Sequence, residues 1–453
     1  MRLRSIPERY FDFSESATLK VVIEYREKYE ALSRLLDENP DLLMLAHRDW
    51  AKLLSSSGKG RTGFTSEQLL RALLVMFIEG DSYRDVVVRI DTSEFLRHFV
   101  RLGFKATMDF TFLSKAIGVL SAETVAAMND VLCAYAVCEG KIRGEKHRLD
   151  TTVYEANIHY PTDSSLLWDS FRTLARLIHS VQKELPELDL HHRFHDRKVK
   201  KLHTFISRNA ASKSKATQRD VQRRYRVLIG RVRWIQRVGQ DVLARLDAVG
   251  HECPDLAHYL PLVHQIVHQA DQRVLHGVKL AADEKLYSLF EEHTELIQRG
   301  KAGKAIEFGH KILLSQTGEK FIHHYQVMAR RREDKDLLEP ALEAHKERFG
   351  HYPEVVAADK GFYENRKQIA TLEGKIQTVS IGKKGRRTPQ EQARERSEAF
   401  VEGQRFRAGV EGSISVLKRA FHLGRCLFKG FKNYAASVGL GVLCHNLVLL
   451  TQL

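Results

Sequence analysis

Cysteine is scarce in this sequence, with five residues in a chain of 453. The five are odd in number and scattered, and no two of them form a C-x-x-C pair, so neither a disulfide framework nor a cysteine zinc site is supported. We expect reduced and mostly buried thiols. The twenty-two histidines lack a ligand spacing such as H-E-x-x-H, and on sequence spacing we assign them no metal.

Long apolar runs are also few. The opening MRLRSIPERYFDFSES has no apolar core after its basic residues, so we expect no secretory signal and a cytoplasmic, nucleoid-associated protein. The C-terminal ASVGLGVLCHNLVLLTQL is barely long enough to span a bilayer. It carries His445 and Asn446 in its middle, which would be costly in lipid. We therefore predict a buried terminal helix and no membrane partner.

Acidic residues are too few to balance the basic ones. Lys and Arg number 72 against 57 Asp and Glu, giving a formal charge of +15 and a pI near 9.5. This balance indicates a polyanionic partner, although charge alone does not distinguish DNA, RNA and an anionic membrane.

Most of the excess positive charge lies in one stretch. Residues 191–238 hold fifteen Lys and Arg against two Asp, within long helical patterns. A solvated helical hairpin is the alternative, but so large a bias favours a surface that follows a DNA backbone. The residues that we predict to bind DNA there are Lys198, Lys200, Lys201, Arg219, Arg223, Arg224, Arg226, Arg231 and Arg233.

Helical and strand patterns alternate along the chain. Residues 20–140 read as short helices, with a capping box over Thr65–Gln68. Their arginines (Arg84, Arg89, Arg97 and Arg101) are compatible with a helix-turn-helix reader, and a structural bundle fits equally well.

Alternation predicts a strand at 146–155, a hairpin over about 304–328 and two further strands before and after YENRKQIATLEG. The segment 383–400 reads as a basic loop. This order implies a mixed α/β sheet with flanking helices.

Three carboxylates stand out against this background. Asp150 lies on the first strand, on the face opposite Leu149, and Asp359 ends the apolar run 355–358. Glu411 shares a helical face with Arg407 and Lys418, four residues before it and seven after it. Each signal is weak alone, because an Asp after a strand is often a turn residue and an Arg–Glu pair is usually a surface ion pair.

A family resemblance joins these residues. RFRAGVEGSISVLKRAFHLGR resembles the carboxyl-terminal signature of bacterial insertion-sequence transposases, Y-x-x-R-x-x-x-E followed by six residues and Lys. Arg407, Glu411 and Lys418 match it, whereas Gln404 stands where Tyr is expected. LDTTVYEANIHYPTDSSLL and AADKGFYENRKQI resemble the first- and second-Asp blocks of the same superfamily, and the ISNCY group is the best overall match. Helices 64–130 also resemble such transposases, and 164–300 is the poorest match.

The resemblance implies a fold. A ribonuclease-H-like core carries its first Asp on the first strand, its second at the end of the fourth strand, and its Glu on a later helix. Our strand count agrees and gives a five-stranded mixed sheet. The implied domains are a helical DNA-binding domain (1–140), the first core strand (141–163), a basic helical insertion (164–300) and the remaining catalytic core (301–453). Better-known relatives carry their insertion just before the Glu helix, so its role does not transfer.

The resemblance also implies a chemistry. Asp150, Asp359 and Glu411 would be the catalytic residues and would hold two Mg²⁺ or Mn²⁺ ions, which take oxygen ligands and stabilise both oxygens of a phosphodiester exchange. Arg407 and Lys418 would contact transposon-end phosphates. Double-stranded DNA would be the partner, as terminal inverted repeats and as target, bound by a homodimer or larger oligomer. Two alternatives remain: a nuclease of the same fold that cuts without joining, and a catalytically inert DNA-binding regulator.

Overall fold

A mixed sheet forms around strand β1 (Lys146–Glu155) in a computed structural model of the chain, which describes residues 19–53, 63–298 and 305–453. The chain divides into two compact units. The first comprises residues 1–155 and 310–453, and the second comprises residues 156–309. The strand predicted at 146–155 is confirmed at both ends.

Six strands are present in the described residues. After β1 they are β2 (Glu295–Gln298), β3 (Ile306–Thr317), β4 (Ile322–Val327), β5 (Val355–Ala358) and β6 (Thr378–Ile381). The order is β2-β3-β1-β5-β6, and β4 also pairs with β3. The β3–β4 hairpin is antiparallel, whereas β5 is parallel to both β1 and β6. The predicted mixed sheet with flanking helices is thus confirmed.

The sixth strand was not predicted. Strand β2 pairs only with residues 306–309, the first four residues of β3. The sequence around β2 is interpreted as the end of the helical insertion, so no strand is expected there. The prediction of five strands is therefore wrong, because the described residues form six, and β2 is the additional one.

Seven helices precede β1 in the described part of the chain. They are α1 (Lys20–Glu38), α2 (Pro40–Trp50), α3 (Ser66–Glu79), α4 (Tyr83–Thr92), α5 (Glu94–Phe99), α6 (Phe110–Val119) and α7 (Ala122–Cys138). The predicted capping box is confirmed, since Thr65 and Gln68 exchange side-chain to backbone hydrogen bonds. Gly80, at φ 71°, then ends α3 in the left-handed region that favours glycine.

The second unit holds four long helices with their own apolar core. They are α8 (Asp163–Glu184), α9 (Asp196–Asn209), α10 (Lys215–Ala248) and α11 (Pro254–Ala270). Along α10 the buried positions Tyr225, Leu228, Val232 and Ile235 recur every three to four residues. This spacing buries one face of the helix and exposes the opposite face, which carries the arginines.

Five α-helices follow β4 in the described residues. They are α12 (Leu338–Phe349), α13 (Arg366–Glu373), α14 (Pro389–Arg396), α15 (Glu398–Ala420) and α16 (Phe431–Leu450). Helix α14 and the start of α15 show that the loop predicted at 383–400 was wrong. Thr388 and Glu391 form a capping box with Pro389 at the first position. Lys383 pairs with Glu391 at 2.7 Å, so local contacts stabilise a helix with no apolar stripe.

Helix α16 is buried, as predicted. It is the one helix of the described residues that is long and apolar enough to cross a membrane, and 78% of its most apolar window is buried. Asn446 donates to the carbonyl of Ile322 at 2.8 Å and accepts from its N–H at 3.0 Å. The polar side chain in the middle of this helix is thus fully engaged with β4. Together with helices α1 to α7, α16 forms the largest apolar core of the first unit.

Candidate active site

Asp150 lies on β1, and Asp359 directly follows the neighbouring strand β5. Arg148 on β1 pairs with Ala357 on β5 in parallel register. Each aspartate lies two residues beyond that pair, so the register brings both to the same edge of the sheet. Adjacent strands run about 4.8 Å apart, so the two backbones lie close together at that edge.

The side chain of Asp150 contacts Thr151 and Arg407. One carboxylate oxygen accepts from the N–H of Thr151 at 2.7 Å. The other lies 3.8 Å from Nη1 of Arg407 on α15. Only 17% of the side chain is exposed. A strand buried on both faces therefore presents this carboxylate in a fixed orientation and next to a cation.

Asp359 begins the turn that follows β5. Its Oδ1 accepts from the N–H of Gly361 at 2.7 Å, which caps the short 3₁₀ turn at 360–362. A Cβ on Gly361 would stand 2.7 Å from Asp359 Oδ1 and 2.8 Å from Oδ2 of Asp334. The absence of a side chain at Gly361 thus allows two carboxylates to approach the same point.

Asp334 is an acidic residue that the sequence did not reveal. It accepts from the hydroxyl of Thr151 at 3.0 Å and from Nζ of Lys311 at 2.9 Å. It therefore lies between Thr151 of β1 and the turn that carries Asp359. Asp334 stands in the charged run RREDKD, and nothing in its spacing distinguishes Asp334 from Asp336.

Helix α15 carries Glu411 and docks closely on the sheet. Gly403 and Gly409 permit the approach, because a Cβ on either would collide with Ser380 or with the Arg148 guanidinium. Arg148 is buried, donates to Gln316 at 2.8 Å and to the carbonyl of Phe406 at 2.9 Å, and burial lowers its pKa to about 10. Helix α15 thus contacts β6 at Gly403 and β1 at Gly409.

Gln404 stands where the family signature has tyrosine, and its amide joins α15 to the sheet. Its amide donates to the carbonyl of Ser380 at 2.6 Å and to that of Ala358 at 3.3 Å. These carbonyls lie on β6 and β5, and Ala358 immediately precedes Asp359. The amide therefore ties α15 to the strand end that presents the second aspartate.

Glu411 lies one turn beyond Arg407 on α15. Arg407 Nη2 lies 3.4 Å from its carboxylate, and 66% of the Glu411 side chain is exposed. Arg407 thus contacts both Asp150 and Glu411. Lys418 lies two turns further along and is half-buried. Arg407 and its two acidic neighbours form one connected group.

The three carboxylates do not share one tight cluster. Among the residues that the structure describes, three donor side chains come within 4.8 Å of one another only at His147, His323 and His345. Two ions about 4 Å apart do not need every carboxylate on the same ion. The absence of a three-carboxylate cluster from the described residues is therefore compatible with a two-ion site.

The basic residues of the second unit lie mainly in solvent. All nine predicted residues are exposed except the half-buried Arg224. Arg223 and Arg224 pair with Asp220, and Arg233 pairs with Asp271 at 3.1 Å. For Arg219, Arg226, Arg231 and the three lysines, the described residues supply no ion pair. Helices α9 and α10 thus present an uncompensated cationic face.

The arginines of the amino-terminal helices are engaged internally. Arg89 pairs with Asp81 at 2.5 Å, and Arg101 pairs with Asp37 at 2.7 Å. Arg97 pairs with Asp91, and Arg84 stacks on Phe110. These contacts favour the structural bundle over a helix-turn-helix reader that would need the same arginines for DNA.

Comparison with known proteins gave one match. Neither the curated proteins nor the solved structures contain a significant match to the chain. Residues 269–447 match the model of the transposase DDE domain family, so the resemblance carried by the signature residues is confirmed over this part of the chain, and the match indicates an enzyme of the transposase or nuclease type.

Proposed function

We propose that the protein is a DDE transposase with a ribonuclease-H-like core, which binds terminal inverted repeats, cleaves the DNA ends and joins them to target DNA. The observation that supports the proposal is the parallel pairing of β1 with β5, since Asp150 and Asp359 each follow the Arg148–Ala357 pair by two residues. Counted without β2, these strands are the first and fourth of the sheet. The matched residues include Asp359 and Glu411, whereas Asp150 precedes them.

The residues present fit a pair of hard divalent cations. Asp150, Asp359 and Glu411 offer carboxylate oxygens, the donors that Mg²⁺ and Mn²⁺ prefer, and Asp334 adds a fourth carboxylate beside Asp359. When bound, such ions stabilise the entering and leaving oxygens of a phosphodiester and activate water or a 3′-hydroxyl. The same site then serves cleavage and joining, because the two steps differ only in the nucleophile.

Arg407 orients the carboxylates and meets the DNA in this proposal. Its guanidinium contacts both Asp150 and Glu411, and cations bound there would compete for the same oxygens. Arg407 would then turn to a phosphate, for which a guanidinium fork is well suited. Lys418, on the same helix, would contact a neighbouring phosphate.

The cationic face of α9 and α10 supplies the remaining contact with DNA. Its exposed lysines and arginines would follow the phosphate backbone without reading sequence. Since transposition joins two ends, we propose that a dimer or larger assembly holds them together. The protein would act in the cytoplasm, on the nucleoid.

Cleavage of end DNA tests the proposal. The DNA that flanks the gene supplies candidate inverted repeats, and a labelled duplex carrying them is incubated with protein, Mg²⁺ or Mn²⁺ and a target plasmid. We expect nicked ends and joined products. Glu411→Ala should abolish both, whereas the control Glu402→Ala, at another exposed glutamate of α15, should not.

Two results would favour the alternatives. Cutting without any joined product would identify a nuclease of the same fold. Tight binding of the ends without cleavage in either metal would identify an inert regulator. Metal-dependent cleavage that survives Glu411→Ala would refute the assignment of the site.

A further inference from the structure

Three buried histidines converge on the opposite side of β1 from Asp150. They are His147 on β1, His323 on β4 and His345 on α12, and one ring nitrogen of each lies within 4.8 Å of the others. All three are essentially inaccessible to solvent. Because 176 residues separate the first two along the chain, spacing in the sequence gave no sign of the cluster.

The hydrogen bonds fix the tautomer of His345. Its Nε2 lies 2.9 Å from the carbonyl of Gly144, which only accepts, so Nε2 carries the proton. Nδ1 is therefore a lone-pair donor, and it lies 3.4 Å from Nε2 of His323. In a metal-bound histidine, the ring nitrogen that does not bind the ion usually donates to a backbone carbonyl or a carboxylate.

His147 is unsatisfied without a further partner. Neither of its ring nitrogens has a hydrogen-bond partner in the described residues, although the side chain is wholly buried. Nδ1 of His323 also has no hydrogen-bond partner in the described residues. Buried polar groups are nearly always paired, because leaving them unpaired costs free energy. A ligand at the centre of the cluster would engage one of the two His147 nitrogens and so remove part of this cost.

The three imidazole rings favour a transition-metal ion as the ligand. Burial lowers the pKa of all three rings, His345 to about 4, so each is neutral at physiological pH. Neutral imidazoles bind transition metals, and a tetrahedral ion with Zn–N bonds of 2.0–2.1 Å spaces its ligands about 3.4 Å apart. That value equals the distance between the His345 and His323 nitrogens.

A fourth ligand position has an oxygen nearby. A Cβ on Gly318 would lie 3.6 Å from that of Lys146, and Arg148 donates to Gln316. The residues between them, His147 and Thr317, therefore stand opposite each other on β1 and β3. The hydroxyl of Thr317 is buried and has no hydrogen-bond partner in the described residues. It could bind the ion directly or hold a bound water.

We propose that His147, His323 and His345 bind one structural Zn²⁺ ion, distinct from the carboxylate site. The ion fastens β1, β4 and α12 to one another. Two of these elements lead to the carboxylates, since β1 carries Asp150 and α12 is followed by β5 and Asp359. The site is closed to solvent, which fits a structural role and not a catalytic one.

Metal analysis of untagged protein tests the proposal. The protein is purified without added zinc, dialysed against excess Mg²⁺ and analysed by plasma mass spectrometry. We expect about one zinc per chain. His323→Gln should reduce this at least tenfold, whereas His324→Gln, at the adjacent histidine outside the cluster, should retain it. Asp150→Asn should also retain it, which separates this site from the proposed transposase chemistry.

Cobalt substitution covers the case in which His323→Gln fails to fold. Wild-type protein stripped with a chelator and reloaded with Co²⁺ should show the visible absorption of a tetrahedral ion, and Zn²⁺ should displace it and raise the melting temperature. Zinc below a tenth of an ion per chain together with no cobalt spectrum would overturn the proposal. Equal loss of metal in the His323 and His324 variants would overturn it as well.

Discussion

Arg407 places its guanidinium 3.8 Å from the carboxylate of Asp150, although the two residues belong to a helix and a strand that are 257 positions apart in the sequence. The same guanidinium lies 3.4 Å from Glu411. A single cation thus contacts two of the three proposed metal ligands. This contact keeps the carboxylates near each other despite their mutual repulsion.

Arg407→Ala should separate DNA contact from metal binding. Loss of the guanidinium removes a phosphate contact, and we expect single-turnover cleavage at saturating Mg²⁺ to fall about 100-fold. The Mg²⁺ concentration for half-maximal cleavage should not rise, because a competitor for Asp150 has been removed. Cleavage measured across a Mg²⁺ titration checks both expectations.

The control for this variant is Arg405→Ala, at an exposed arginine of the same helix. It should leave the rate within a few-fold of wild type. An increase in the Mg²⁺ requirement of Arg407→Ala would show instead that the arginine supports the metal site.

Asp334→Asn should weaken metal binding. The carboxylate lies beside Asp359 across Gly361 and accepts from Thr151 and Lys311. Removing its charge should raise the Mn²⁺ concentration for half-maximal cleavage roughly tenfold, as is typical when a residue supporting a metal ligand is changed. A purely structural role would lower the melting temperature without moving the Mn²⁺ midpoint.

Asp336→Asn is the matched control, since Asp336 lies two residues further along and is exposed. This variant should change neither the Mn²⁺ midpoint nor the melting temperature. Equal Mn²⁺ midpoints in the two variants would remove Asp334 from the site.

The sequence predicted those parts of the fold that local patterns determine. Strand β1 is buried along most of its length and rich in β-branched residues, and its limits were found to the residue. Helix α14 was missed because it has no apolar stripe and depends on the Thr388–Glu391 capping box and on Lys383. Strand β2 was missed because its partner, not its composition, makes it a strand.

For the candidate site, the sequence indicated only those residues that belong to a motif. Glu411 and Arg407 lie one turn apart, so their spacing carried information about their contact. Asp334 and the three clustered histidines come from separate elements, and only the folded sheet brings them together. The function of Gln404 was also hidden, since its acceptors on β5 and β6 lie at least 24 positions away.

Gly409→Ala should destabilise the protein although alanine favours helices. A Cβ there would collide with the guanidinium of Arg148, which is buried and fixed by Gln316 and Phe406. Overpacking of this kind costs about 1–3 kcal/mol. Urea titration should show that loss in the free energy of unfolding.

Gly412→Ala supplies the matched control on the same helix. A Cβ at Gly412 meets nothing within 4 Å, so the change should stabilise α15 by up to about 1 kcal/mol. Opposite signs for the two glycines are the expected result. A stabilised Gly409→Ala would show that α15 does not dock on Arg148 as described.

The cationic face of α10 should set the salt dependence of DNA binding. Arg219, Arg226 and Arg231 are exposed, and the described residues give them no acidic partner. Each phosphate contact contributes about −0.9 to the slope of log K against log salt. Changing all three to Gln should therefore flatten that slope by about 2–3 and weaken binding to any duplex, as measured by fluorescence anisotropy from 50 to 200 mM salt.

Arg245→Gln, near the end of the same helix, is the control because Arg245 already pairs with Asp241 at 3.0 Å. It should leave the slope unchanged, since a paired arginine has less charge to offer a phosphate. The triple variant should also lose affinity equally for repeat and unrelated DNA, because backbone contacts carry no sequence information. A slope that stays at the wild-type value would place the DNA elsewhere, and a loss confined to repeat DNA would assign base recognition to α10 instead of backbone contact.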